Sequence, residues 1–396
     1  MKKLLLAILL LCCAAGARAF DAGTIFPSGS IYGYTRDYYL HREFRDNIQE
    51  SMGLGGGIGY SSPRVAGTGL NVMAYGVMGA FFKNPERDGG NVLAPGQKNF
   101  GVIGLLNAEW ENDTSSVTVF RQNINTPLIN TFDSRIVPYT YEAYTVSHKT
   151  NNASLILSQV NKVKKWTATD FAYMSEAAGI GGSKKSVTLG GGVFDFGGGH
   201  SLSVYDYYAY DFMNSVYAEY RRLWHLDDIT DFSVSVQGLD QRDTGSAIGG
   251  RIKADQIGIL GTLSANGGKV SLGATKANNM TNVVNPWGSY PGYTSIVEED
   301  CDLAGERAWV LMLSYDMGQI GADGLLLRLF HSEAEVPPMS SWSTPDQRET
   351  DFIADYAFSG RLKGLSMELK TAFVSSSASM AFQNYQDYRL ITAYTF

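Results

Sequence analysis

Residues 121–148 read RQNINTPLINTFDSRIVPYTYEAYTVSH. The stretch opens as the end of an alternating strand, breaks at Asn123, Asn125 and Pro127, and stays irregular as far as Pro138. Alternation resumes from Tyr139. A proline-bracketed segment of this length between two strands exceeds any hairpin turn. It also carries both signs of charge, Asp133, Arg135 and Glu142, among Ile129, Phe132, Ile136 and Val137. We read it as a loop that folds back into a barrel lumen and sets what passes. The remainder of the chain is then expected to be the wall around it.

The first nineteen residues are expected to be a signal peptide rather than part of the fold. Lys2 and Lys3 precede an apolar run from Leu4 to Cys13, and Ala17-Arg18-Ala19 offers a small-x-small cleavage site. The run is too short to span a bilayer as a helix. Neither Cys12 nor Cys13 follows the small residue a lipoprotein signal requires, so cleavage after Ala19 is the expectation, with a barrel over 20–396. Removing Lys2, Lys3 and Arg18 and no acid takes the formal charge from −7 to −10. Such an acidic chain is not expected to bind nucleic acid. Only Cys301 would survive cleavage, which excludes an internal disulfide.

Composition then points to a class. Aromatic residues make up 12% of the chain, and there are 23 tyrosines and 44 glycines, high for a soluble domain. No stretch after residue 19 is apolar enough for a membrane helix. Export, acidity and Tyr/Gly richness fit a transmembrane β-barrel, and a large periplasmic β protein is the rival. Connection lengths separate the two. We count about eighteen period-2 segments of about ten residues each. Phe232, Val234 and Val236, for example, alternate with Ser233, Ser235 and Gln237. Short turns (62–65, 111–113, 150–151, 195–197, 224–227, 265–266, 318–322, 361–363) alternate with longer connections (42–51, 78–100, 123–139, 163–183, 239–249, 278–305, 334–349, 377–385). Only 209–211 breaks the pattern. An all-β, antiparallel barrel with short periplasmic turns and long external loops behaves this way, whereas a sandwich has no reason to. Closure follows from hydrogen bonding, because a strand edge in hydrocarbon has no water to bond.

Tyr32, Tyr34, Tyr38, Tyr39, Trp110, Tyr205, Tyr207, Tyr208, Trp224 and Tyr394 are candidates for interfacial girdles. Glycines in 53–59 and 190–192 suit bent or closely approached strands. The last strand, QDYRLITAYTF, sets Tyr388, Leu390, Thr392, Tyr394 and Phe396 on one face. We expect Tyr394 and Phe396 to act as the signal that hands the chain to the barrel assembly machinery.

Several segments resemble the OprD family of outer-membrane porins. NTPLINTFDSRIVPYTYEAY (125–144) is similar to that family's third loop. CDLAGERAWVLMLSYDMGQIGADGLLLRLF (301–330), RETDFIADYAFSGRLKGLSMELK (348–370) and DYRLITAYTF (387–396) resemble its later strands. YLHREFR (39–45) is a weaker match, and 150–280 match little. The resemblance implies an eighteen-stranded barrel, monomeric or weakly self-associating, in the outer-membrane lipid. It also implies an eyelet of inward-folded third and seventh loops that passes small carboxylated nutrients along lumenal arginines and lysines. This chain departs from that pattern in an acidic seventh loop (Glu298, Glu299, Asp300, Asp302).

A filter needs charge at a constriction where little water screens it. Asp133, Arg135 and Glu142 can supply a transverse field, or Asp133 and Arg135 can pin the loop to the wall. Arginine suits carboxylates because its planar fork binds two oxygens. Wall candidates are Arg121, Arg221, Arg251, Arg328 and Arg389. Arg328 and Arg389 sit in otherwise apolar strands, where a lipid-facing charge costs about 2–4 kcal/mol at the midplane, so both are expected to face the lumen. Arg121 fits rim or lumen equally, and Arg221 rather than Arg222 is the lumenal one of its pair. The five histidines (His41, His148, His200, His225, His331) are scattered, without a nucleophile elbow or HExxH spacing. No enzyme, cofactor or metal is expected. A purely structural or adhesive barrel, or an outer-membrane hydrolase, is the alternative, and conductance separates both from a porin.

Overall fold

The computed structural model describes residues 29–82, 84–336, 346–377 and 384–396. The expected leader, 1–19, and parts of the connections 334–349 and 377–385 lie outside the described residues. The chain runs through β1 (Ser30–Phe44), β2 (Ile48–Ser61), β3 (Thr68–Gly79), β4 (Phe100–Glu111), β5 (Ser115–Gln122), β6 (Thr140–Lys149) and β7 (Ala153–Lys164). A two-residue strand, β8 (Ala172–Tyr173), and a short helix, Met174–Ala177, follow in a loop. The wall resumes with β9 (Val187–Gly197), β10 (His200–Ala209), β11 (Met213–His225), β12 (Thr230–Asp243), β13 (Lys253–Ala265) and β14 (Gly268–Ala277). It ends with β15 (Arg307–Asp316), β16 (Leu325–Glu335), β17 (Gln347–Ala357), β18 (Leu365–Ser376) and β19 (Tyr385–Thr395).

Every wall strand has two antiparallel neighbours. β7 passes over β8 to pair with β9, and β1 closes the sheet against β19, from Tyr34↔Thr395 to Phe44↔Tyr385. Setting β8 aside, eighteen strands form a closed barrel with no edge. The faces are inverted relative to a soluble core. Val236 and Leu272 are exposed on the outer surface, while Ser233, Ser235, Gln237, Ser271 and Thr275 are buried inside. Apolar-out, polar-in alternation is what lipid outside and water inside select.

Three expectations need correction. β1 and β2 run further than the pattern suggested, so the connection between them is 45–47 rather than 42–51 and is short. Above the lipid a strand needs no apolar face, and Arg42↔Gln49 and Glu43↔Ile48 continue the ladder there. The aromatic set also divides by strand period. Trp110, Tyr208, Trp224 and Tyr394 are exposed outside, but Tyr38, Tyr205 and Tyr207 are buried and the Tyr34 hydroxyl bonds the Ile136 carbonyl at 2.8 Å, so these four serve the lumen. Third, Arg121 and Glu142 pair with each other away from the lumenal loops, and Arg251 stands on an exposed connection.

The buried apolar clusters lie inside the barrel, where loops meet wall. One packs Ile124, Leu128 and Ile129 with Trp287, Tyr207 and Tyr217. A second packs Ile136 and Val137 with Val92, Leu93, Tyr38 and Tyr75. The glycine run of β2 makes room for the second cluster. A Cβ at Gly53 would stand 2.7 Å from the Ile136 side chain, and one at Gly57 would stand 2.7 Å from the Tyr75 ring.

Candidate functional site

The segment 123–139 folds into the lumen and is tied down along its length. The Asn130 amide bonds the Ser289 carbonyl at 3.1 Å, and Ser289 N–H donates back to Asn130 Oδ1 at 2.9 Å. The Tyr141 hydroxyl reaches the Asn130 and Trp287 carbonyls at 2.6 and 2.5 Å. Trp287 Nε1 bonds the Met174 carbonyl at 2.8 Å, and Trp166 Nε1 bonds the Phe132 carbonyl at 2.7 Å. The Lys164 ammonium meets the Pro138 carbonyl at 2.7 Å. Third and seventh loops are thus one hydrogen-bonded insert. Between it and the wall lies a cavity of about 690 Å³, lined by Asn125, Phe132, Asp133, Tyr205, Glu219 and Pro291, among others.

Asp133 forms a bidentate pair with Arg36 of β1, 2.6 and 3.1 Å, and keeps about half its surface open. Arg135 is buried, its Nε on the Gly90 carbonyl at 2.8 Å and its guanidinium 5.0 Å from the Trp166 ring centre. In these positions both residues pin the loop. Across the cavity, Glu219 accepts from the Tyr217 and Tyr293 hydroxyls at 3.0 and 2.9 Å. Arg221 lies two residues along the same face of β11 and is exposed.

Glu142 and Arg121 stand elsewhere. Tyr141 points at the lumenal loops, so its neighbour Glu142 points away from them. There Glu142 pairs with Arg121 at 3.2 Å and Lys162 at 3.0 Å, and Arg121 stacks over Phe171 at 4.3 Å. Glu142 follows the alternation of β6, in which Ala143 and Thr145 are buried inside and Tyr144 and Val146 are exposed outside, and Arg121 faces it across the ladder. Arg251 lies in the 244–252 connection, its side chain 91% exposed and paired with Asp243 at 3.0 Å. A long exposed arm on a surface loop does not reach the constriction.

Register aligns the remaining basic residues. Arg328 pairs with Ile353, Ile353 with Lys370, Lys370 with Arg389, and Arg389 with Leu40. Arg328, Lys370 and Arg389 therefore share one row across β16–β19, and strand tilt makes such a row climb the wall obliquely. Carboxylates flank it on both sides, Asp355 and Glu368 toward the periplasmic turns, Asp351 and Asp387 toward the long loops. Arg328 pairs with Asp355 and, at 3.4 Å, with Glu368, which also holds Lys370 at 2.9 Å. Arg389 holds Asp387 at 2.6 Å. Arg36, Arg42, Lys370 and Glu219 were not singled out from the sequence. Arg36 and Arg42 do share their period-2 face with Tyr34, Tyr38 and Leu40, and that was a usable signal.

The seventh loop, 278–306, brings its own acids to this sector. Glu298 pairs with Arg42 and Arg389. The Glu349 carboxylate accepts the Glu298 and Glu299 N–H groups, each at 2.8 Å. Burial raises the carboxyl groups of Glu299 and Asp300 above their usual range, Asp302 to about 7 and Glu306 to about 8. Among the described residues no cluster of side chains has metal-ligand geometry, and no helix is long and apolar enough to cross a membrane.

A closed, apolar-skinned barrel with a water-accessible, loop-narrowed lumen defines a channel of the bacterial outer membrane. The model of the OprD family of outer membrane porins matches residues 29–396, and the chain belongs to that family. Solved structures share the fold. OccK9 (OpdG) of Pseudomonas aeruginosa aligns with TM-score 0.84 at 19% identity over 94% of this chain and 99% of its own. OccAB2 of Acinetobacter baumannii gives 0.85 at 19% over 94% and 99%. Pseudomonas aeruginosa OpdK, solved with vanillate, gives 0.81 at 18% over 94% and 99%. No curated protein sequence matches the chain.

Proposed function

We propose that this porin passes small solutes bearing a carboxylate, such as amino acids or organic acids, through the eyelet between the third and seventh loops. The observation that carries the reading is the sector of lumenal cations spanning β16 to β1: Arg328, Lys370, Arg389, Arg42 and Arg36. In a narrow lumen, a fixed guanidinium lowers the energy of a passing carboxylate, and successive ones let it step along the wall. The flanking carboxylates keep the row from trapping an anion, since conduction needs binding weak enough to release. Vanillate, bound in a relative of the same fold, is itself a carboxylate. Barrel and loops act as a channel rather than a catalytic scaffold. Liposome swelling with size-matched organic acids, amino acids and sugars tests the reading. Faster swelling with the carboxylates supports it, and equal rates for all three classes contradict it.

A further inference from the structure

The wall around Glu298 is built to hold a carboxylate. Arg42 Nε lies 2.8 Å from one Asp387 oxygen and Arg389 Nε lies 2.6 Å from the other, and both guanidiniums also engage Glu298. Two guanidiniums therefore meet two carboxylates of different standing. Asp387 is fully buried and fixed within β19. Glu298 arrives on a loop. Its tip is held by the Glu349 carboxylate through two N–H groups and by the Tyr385 hydroxyl, which donates to Glu299 at 2.9 Å. The loop is anchored separately on either side of that tip. Trp287 and Tyr290 are buried in the lumenal cluster, and Gln256 bonds the Cys301 carbonyl at 2.9 Å. These anchors lie outside the segment that carries Glu298.

We propose that the Arg42–Arg389 pair is a carboxylate-binding site occupied at rest by the pore's own Glu298, and that an entering small carboxylate exchanges with it. This rests on the reading that the solutes bear carboxylates. A free carboxylate offers the two arginines the same bidentate contacts that Glu298 makes. By binding only the state in which Glu298 has left, it shifts the population toward the open tip. Permeation then saturates with carboxylate, and the solute opens its own path.

The test uses the purified full chain in planar bilayers, with potassium acetate titrated against potassium chloride, for the parent, Glu298→Gln and Glu298→Asp. Acetate should raise the open fraction of the parent about ten-fold, the scale of one charge-assisted contact. Glu298→Gln should be open in chloride alone and indifferent to acetate. Glu298→Asp, with its charge on a shorter arm, should stay acetate-sensitive at lower acetate. Parent and Glu298→Gln channels that behave alike in both salts would overturn the proposal. Swelling assays on the parent separate the two levels. If the parent passes carboxylates no faster than matched sugars, the substrate reading falls and this proposal with it. If it passes them faster while Glu298→Gln changes nothing, only the role of Glu298 falls.

Discussion

Arg328 and Arg389 occupy one register row but stand in different company. Arg328 sits between two half-buried carboxylates, Asp355 and Glu368. Changing it to Glu places three acids together, so the reversal potential under a salt gradient should move toward the cation limit while the barrel still assembles. An unchanged reversal potential would remove Arg328 from the conduction path. Arg389 is buried against Asp387, whose side chain has no solvent contact. Arg389→Ala leaves that carboxylate with Arg42 as its remaining ion-pair partner, and weakening a buried pair costs more than weakening a half-buried one. Its heat-modification midpoint should therefore fall below that of Arg328→Ala, measured by gel mobility after graded heating. The outward option for either arginine was excluded from sequence because an unpaired guanidinium in lipid is costly. Asp387 stands two residues before Arg389 on the same face of β19, a pairing a period-2 pattern can show, whereas Asp355 and Glu368 come from other strands and only register brings them to Arg328.

At the scale of the loop, the seventh connection carries acids whose burial favours the protonated form. Docked, Asp302 titrates near 7 and Glu306 near 8, and an undocked loop returns both to the ordinary carboxylate range. The docked loop thus binds more protons between about pH 4 and 8, and its stability falls as pH rises through that window. We expect current noise from loop motion to grow from pH 5 to pH 8.5, and Asp302→Asn with Glu306→Gln to flatten that dependence. Noise that falls with rising pH would reverse the sign. The third loop was readable as an inserted segment from its prolines and mixed charge. For Glu142 the signal was present, because it shares its period-2 face with Tyr144 and Val146, which lie outside, and Arg121 faces it across the ladder.

For the whole molecule, closure depends on the β1–β19 seam. Gly33 and Phe396 exchange two backbone hydrogen bonds of 3.0 Å there, and a Cβ at Gly33 would meet the Phe396 ring at 2.8 Å. Deleting Phe396 should cut the folded, heat-modifiable barrel in membrane fractions, and a normal yield would show that the seam forms without it. Strand count and closure were legible because lipid outside and water inside impose one repeating pattern. Lumenal contacts were not, because they join residues such as Asn130 and Ser289 that no local pattern links. We expect the inserted loops, rather than the wall, to set the size of the passage. Single-channel conductance of the parent beside a channel lacking Thr126 to Phe132 tests it most directly. We expect the shortened loop to raise conductance several-fold and to weaken discrimination between ions while the wall stays folded. Equal conductances in the two channels would contradict a constriction made by 123–139.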